Sequence, residues 1–333
     1  MNQSGFRQRA SSGDISKVAS TTEASVIENS LKNPDKVDET TPMLNRDKRV
    51  CTFEELPAWA QDNVYILTGY RIPTNSYSLC FESLFYLHNE TGNVYSHLIG
   101  FLGFAALAFT TNFYFLKDSS ASWSDIIVIY IFIVAAMLCL GCSSLFHLVC
   151  CHSHEVSRAW NKCDYAGIVF LIVGSFFPAV FYGFYCDNFW KNMYLGAIGL
   201  SGLVTLLFTV SKTYSQPKYR IHRTAMFLGL GLSGLFPIGH AIVVEGLEKL
   251  VGVGSIFWFI SMGALYTIGA VIYGLRVPEK WYPGKFDHWF HSHQIFHVLV
   301  VTAAVLHYVG VIISFRYYHF GEGHCPTSDL LEE

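Results

Sequence analysis

Charge is scarce in this sequence. Asp, Glu, Lys and Arg make up 14% of its 333 residues, against about 25% in an ordinary soluble domain. Hydrophobic residues reach 52% and mean hydropathy is +0.34, which excludes a soluble globular chain and points to a membrane protein. The chain does not open with a basic segment, an apolar core and a small-residue cleavage site. No secretory signal peptide is therefore expected, and the first crossing must act as the insertion signal. The nine cysteines lack the spacing of a secreted disulfide framework and are read as buried or interfacial thiols. There is no internal repeat. The net charge of -3 says little beside the way the charges are distributed.

What is present is a series of apolar runs, each about 20 residues long and able to cross a hydrocarbon core of roughly 30 Å. They are Ser96 to Leu116, Asp125 to Val149, Tyr165 to Tyr185, Asn192 to Val210, Thr224 to Val244, Val253 to Gly274 and Trp289 to Ser314. The expected fold is an all-α membrane protein, a seven-transmembrane helix bundle with a short interfacial helix before the first crossing. Four regions follow: a disordered cytosolic tail over 1–50, a cytosolic or interfacial amphipathic helical segment over 51–92, the transmembrane domain over 93–316, and an extracellular C-terminal tail over 317–333. The tail is rich in Ser, Thr, Asn and mixed charge and has no apolar period. Pro178 and Pro237 fall inside crossings three and five and are expected to kink them.

Lys and Arg set the orientation, because cytoplasmic loops carry the excess. The segment before crossing one holds nine, and the loops after crossings two, four and six hold nine more, whereas the loops and tail on the other side hold four. This 18 to 4 contrast places the N-terminus in the cytosol and the C-terminus outside.

Polar groups inside the spans are costly and mark function by default. His293 and His297 stand four residues apart, so a helix stacks both imidazoles on one face, the spacing of zinc ligands. Soluble zinc enzymes with such a pair carry Glu after the first His, and here that position is Gln294. Any base must come from elsewhere. In the expected orientation, His147 and Ser143 from crossing two and Asp164 from crossing three reach the same leaflet as the His pair. Three neutral imidazoles, His147, His293 and His297, would leave the fourth position of a tetrahedral Zn2+ open for water. Asp164 suits a general base and proton shuttle, and Ser143 suits a group that orients the water or donates to a developing oxyanion. A zinc that only staples helices together, or no metal at all, stays open at this point. Glu90 and His97 are read as helix-capping or interhelical hydrogen-bond partners. His240 and His307 are read as buried partners for backbone or hydroxyl groups, and His152, His154, His288 and His291 as solvated loop residues.

Four stretches carry a family resemblance. They are His88-Asn-Glu-Thr-Gly-Asn-Val-Tyr-Ser-His97, Ser143-Ser-Leu-Phe-His147, Asp164-Tyr-Ala-Gly and Ser292-His-Gln-Ile-Phe-His297. In this order and spacing they resemble the progestin and adipoQ receptor family, in particular its adiponectin-receptor and fungal-plant heptahelical branch, from about Phe53 to Ser314. The resemblance implies a seven-helix receptor with zinc on His147, His293 and His297 and with Asp164 beside the metal-bound water. It also implies a ceramidase-like hydrolysis by zinc hydroxide, with ceramide, sphingosine or a free fatty acid held in the bundle. The alternative is a signalling receptor, or a sensor of sterol, zinc or lipid homeostasis, in which the zinc is structural. An extracellular protein or steroid ligand and a cytosolic partner of the N-terminal segment are further expectations. No nucleic acid is expected, and the receptor resemblance favours the plasma membrane over endomembranes.

Overall fold

In the computed structural model, residues 48–325 are described, apart from 118, 119, 254, 322 and 324. The expected disordered tail therefore lies outside the described residues, up to residue 47. The described residues form ten α-helices and a minimal strand pair. Strands β1 (Val50–Cys51) and β2 (Tyr70–Arg71) pair antiparallel. The helices are α1 (Tyr77–Glu82), α2 (Thr91–Thr111), α3 (Trp123–Val149), α4 (His154–Gly183), α5 (Asn188–Thr209), α6 (Arg220–Leu232), α7 (Leu235–Glu245), α8 (Leu247–Val253), α9 (Ile256–Leu275) and α10 (Ser292–Phe320).

Among the described residues, seven helical spans are long and apolar enough to cross a membrane. They are α2 with its π-helical extension to Leu116, α3, α4, α5, α6 and α7 together, α9 and α10. Polar caps explain where they begin. Ser122 opens α3 with a capping box: its hydroxyl accepts the N–H of Asp125, and the Asp125 carboxylate accepts the Ser122 N–H at 2.9 Å. Ser153 caps α4 by accepting the Val156 N–H, and Asp187 caps α5 by accepting the Trp190 N–H. Because capped first turns tolerate charge, α4 starts at His154 and takes Arg158 and Lys162 into the helix rather than leaving them in a loop.

Pro237 acts as expected. It cannot donate to Ser233, whose carbonyl is taken instead by the Phe236 N–H at 3.2 Å, and the fifth span breaks there into α6 and α7. Pro178 stays within α4, which continues to Gly183. The core lies between α2, α3, α4 and α10, where Phe104, Ile129, Phe132, Leu140, Ala304 and Phe315 are fully buried. Gly167 lets α4 approach α3: a Cβ there would lie 2.8 Å from the Cys139 Cα.

The stretch before the first span is less helical than expected. Gly69 (φ +80°) and Asn75 (φ +49°) adopt left-handed backbone, and Pro57 and Pro73 lack a donor, so only the short α1 forms, with isolated turns. This stretch is nevertheless tied down by buried polar side chains. Asp287 accepts the Leu67 and Thr68 N–H groups at 3.0 and 2.9 Å. Arg71, 5% exposed, donates to the Ser83 hydroxyl and to the Leu148 and His147 carbonyls at the end of α3.

At the opposite end of the bundle, Cys186 and Cys325 form a disulfide. This corrects the reading of all cysteines as thiols. The bond joins residues 139 apart in sequence, and only the meeting of the ends of α4 and α10 brings them together.

Candidate metal centre

A cluster of three histidines that could hold a metal ion forms where α3 ends and α10 begins. His147 stands in the last turn of α3, one turn beyond Ser143. His293 and His297 project from the first two turns of α10. The N-terminus of α10 is held by buried Glu279, whose carboxylate accepts the Ser292 N–H at 2.8 Å and the Ser292 hydroxyl. The three imidazoles then converge, with ring centroids 4.7 to 4.9 Å apart. One ring nitrogen from each lies within 4.8 Å of the others, close enough for small rotations to bring all three onto one ion.

The environment orients these rings. Oε2 of Glu90, the residue before α2, lies 2.7 Å from His147 Nδ1. His147 Nε2 is buried and has no partner among the described residues, so its lone pair faces the cluster. His297 Nδ1 faces the Asn93 carbonyl oxygen at 3.2 Å and the Ser96 hydroxyl at 3.5 Å. His97 stacks on His297 with centroids 3.7 Å apart. Burial alone would raise the Glu90 carboxyl, but the contacts with His147 and Asn93 outweigh it and hold the group well below the usual carboxylate range. Imidazoles braced by a carboxylate and a backbone carbonyl suit the ligands of a metal ion.

Asp164 (8% exposed) and Ser143 (2% exposed) are both buried. Both line a cavity of about 880 Å³ that His293 and His297 also reach. Its apolar wall continues along α4 and α9 past Phe259 and His307 to Tyr318 near the end of α10. All five residues singled out in the sequence are thus brought to one place.

Other histidines sort differently. His240 Nδ1 pairs with the Tyr194 hydroxyl at 3.0 Å, as expected. His307 has no hydrogen-bond partner among the described residues and packs on Phe132 and Phe259. His291 is 3% exposed, not solvated, and its Nε2 meets the Asn89 carbonyl oxygen at 3.2 Å. Glu90 is an interhelical hydrogen-bond partner, as expected, whereas His97 has no hydrogen-bond partner among the described residues and stacks on His297 instead. The part of Asn93 beside the histidine cluster was not foreseen, although the spacing of three and four residues sets all three on one face of α2.

The seven-helix bundle with a buried histidine centre defines a class of membrane protein, and comparison with known proteins gives the family. Residues 85–308 match the family described as haemolysin-III related. The chain belongs to this family, that of the progestin and adipoQ receptors. It is similar to the adiponectin receptor protein of Drosophila melanogaster (42% identical over 79% of this chain and 59% of the relative). It is also similar to progestin and adipoQ receptor-like protein 1 of Caenorhabditis elegans (41% identical over 79% of this chain and 60% of the relative). The ADIPOR-like receptor IZH2 of Saccharomyces cerevisiae is 38% identical over 82% of this chain and 86% of its own length. The chain therefore spans about three fifths of the length of the fly and worm relatives.

Proposed function

We propose that this chain is a receptor-type seven-helix protein whose histidine centre holds Zn2+ and hydrolyses a lipid amide of the ceramide kind. The observation that carries this reading is the meeting of three imidazoles and a carboxylate at one end of a long apolar cavity inside the bundle. Three imidazole donors are the set used by catalytic zinc, which keeps its fourth position free. When bound, zinc polarises a carbonyl and makes water acidic enough to attack at neutral pH, lowering its pKa from about 15.7 toward about 7.

The chain's own residues supply the rest. Glu90 holds His147 in the tautomer that turns Nε2 inward. The apolar cavity wall binds the hydrocarbon chains and keeps bulk water from the reacting carbonyl. Asp164 holds the proton lost by the attacking water on a carboxylate oxygen and delivers it to the leaving amide nitrogen. Ser143 offers its hydroxyl to the water or the developing oxyanion. Sphingosine and a free fatty acid leave through the cavity.

In this reading the N-terminus is cytosolic and the C-terminus outside. Two independent features support it: the 18 to 4 distribution of Lys and Arg, and a disulfide at the end opposite the histidine centre, since disulfides persist outside the cytosol. The plasma membrane is the proposed location, with an extracellular protein or steroid ligand and a cytosolic partner of the N-terminal segment.

A second reading has specific support. Glu90, Asn93 and His97 bind the histidine centre to α2 as well as to α3 and α10, which is what a zinc that only fixes helix positions in a signalling receptor needs. Elemental analysis of the purified protein, with fatty-acid release from labelled ceramide, separates the two. One zinc per chain with turnover, both lost in His293→Ala, supports the hydrolase; zinc without turnover supports the structural metal.

A further inference from the structure

A second polar constellation lies at the far end of the bundle from the histidine centre. Asp125 opens α3 and His147 closes it, so 22 residues at 1.5 Å per residue put roughly 33 Å between them. Asp125 is fully buried. Its Oδ2 accepts the N–H and hydroxyl of Ser122 at 2.9 and 2.6 Å. Its Oδ1 accepts the Tyr182 hydroxyl at 3.0 Å and faces His319 Nε2 at 3.0 Å. On the other side of the ring, His319 Nδ1 lies 2.8 Å from the hydroxyl of Ser120, an exposed residue.

The tautomer follows from this arrangement. A carboxylate accepts only, so His319 carries its proton on Nε2 and turns the Nδ1 lone pair to the Ser120 hydroxyl. Phe315 stacks on the ring at a centroid distance of 4.5 Å and limits its rotation. An exposed hydroxyl, an imidazole base and a buried carboxylate that orients the base are the three parts of an activated nucleophile. Tyr182 and Ser122 satisfy the remaining lone pairs of Asp125, so the carboxylate is not free to turn away.

We propose that Ser120, His319 and Asp125 form a serine nucleophile centre that cleaves carboxylic esters of membrane lipids. The substrate class comes from the depth of the site. Exposed Phe113, Tyr114 and Trp123 flank Ser120 in sequence, and aromatic belts of this kind sit at headgroup level, where the ester groups of glycerolipids lie. Ser120 also precedes the N-cap of α3 by two residues, and first-turn N–H groups with the positive helix end suit a developing oxyanion.

The Ser120 Oγ attacks the ester carbonyl carbon and its proton passes to His319 Nδ1. The ester C–O bond breaks and the proton goes to the departing alkoxide. Water then gives a proton to the same nitrogen and attacks the acyl carbon; the acyl C–Oγ bond breaks, the proton returns from His319 Nδ1 to Oγ, and the carboxylic acid leaves, regenerating Ser120. Asp125 is a positioning residue throughout.

The test treats the full-length protein with a long-chain alkyl fluorophosphonate, which loses fluoride to a reactive serine, and locates the adduct by peptide mass spectrometry. In parallel, fatty-acid release from phosphatidylcholine vesicles is measured. The proposal expects an adduct on Ser120, a labelling rate about 100-fold lower in His319→Gln, and release abolished in Ser120→Ala, a surface change that leaves the melting temperature unaltered. No adduct on Ser120, or a rate indifferent to His319→Gln, overturns it. Release that survives Ser120→Ala and disappears in His293→Ala belongs to the histidine centre and overturns it too. Cleavage of p-nitrophenyl butyrate without phosphatidylcholine turnover overturns the lipid assignment.

Discussion

Oε2 of Glu90 lies 2.7 Å from Nδ1 of His147 across 57 residues of sequence, and this contact decides which ring nitrogen faces the histidine cluster. The carboxylate accepts, so Nδ1 carries the proton and Nε2 keeps the lone pair that an ion needs. Glu90→Gln is expected to weaken zinc binding by about 10- to 100-fold, the usual effect of losing such a partner. Titration against a competing chelator measures it. Unchanged affinity would mean that helix packing alone sets the ring.

Asp164→Asn keeps the shape of the side chain and removes its basicity. Zinc content is expected to stay at the wild-type level while amide hydrolysis falls by about 10² to 10⁴, the range for general acid–base groups. Fatty-acid release from labelled ceramide, with zinc measured on the same sample, reads both. Unaltered turnover would remove Asp164 from the mechanism.

His88 makes the membrane-flanking cap sensitive to acid. It is 1% exposed, and its Nδ1 accepts the Glu90 N–H at 3.1 Å, a bond only the unprotonated nitrogen can make. Burial and the nearby Arg71 guanidinium push its pKa down to about 3. The unfolded chain takes up the proton near pH 6.5, so between that pH and about 3 the unfolded state binds more protons and stability falls as pH falls. With one proton of difference the loss approaches about 1.4 kcal/mol per pH unit. Thermal melts of wild type and His88→Gln across this window should differ in slope, with the variant flatter.

Gly167→Ala tests the approach of α4 to α3. The added Cβ meets the Cys139 backbone at 2.8 Å, so the helices must separate. A loss of about 1 to 3 kcal/mol is expected, as for other overpacked contacts, and hydrolysis should fall with it because Asp164 sits one turn away. Melting temperature and turnover measured together check the coupling; a variant that loses neither would show that the helices part freely.

The seven spans could be read from the sequence because lipid demands long apolar runs, which leave a signal no soluble helix leaves. Their ends could not. Arg158 and Lys162 look like loop residues by composition, yet the Ser153 cap starts α4 before them. The His293 and His297 pair was visible through its helical spacing, and His147, Ser143 and Asp164 through their depth in matched spans. Arg71 and Glu279 escaped notice because their partners lie in other elements, Leu148 at 77 residues and Ser292 at 13. No period in the sequence records such contacts. The Ser120, His319 and Asp125 arrangement is hidden for the same reason, since 199 residues separate the hydroxyl from the ring.

Helix α10 runs for 29 residues without a proline, a rod about 43 Å long at 1.5 Å per residue. His293 and His297 occupy its first two turns, and His319 and Phe320 its last. One unbroken helix thus carries two of the three clustered imidazoles at one end and the His319 ring beside Asp125 at the other, so the distance between the two polar sites is set by a continuous ladder of backbone hydrogen bonds rather than by a loop.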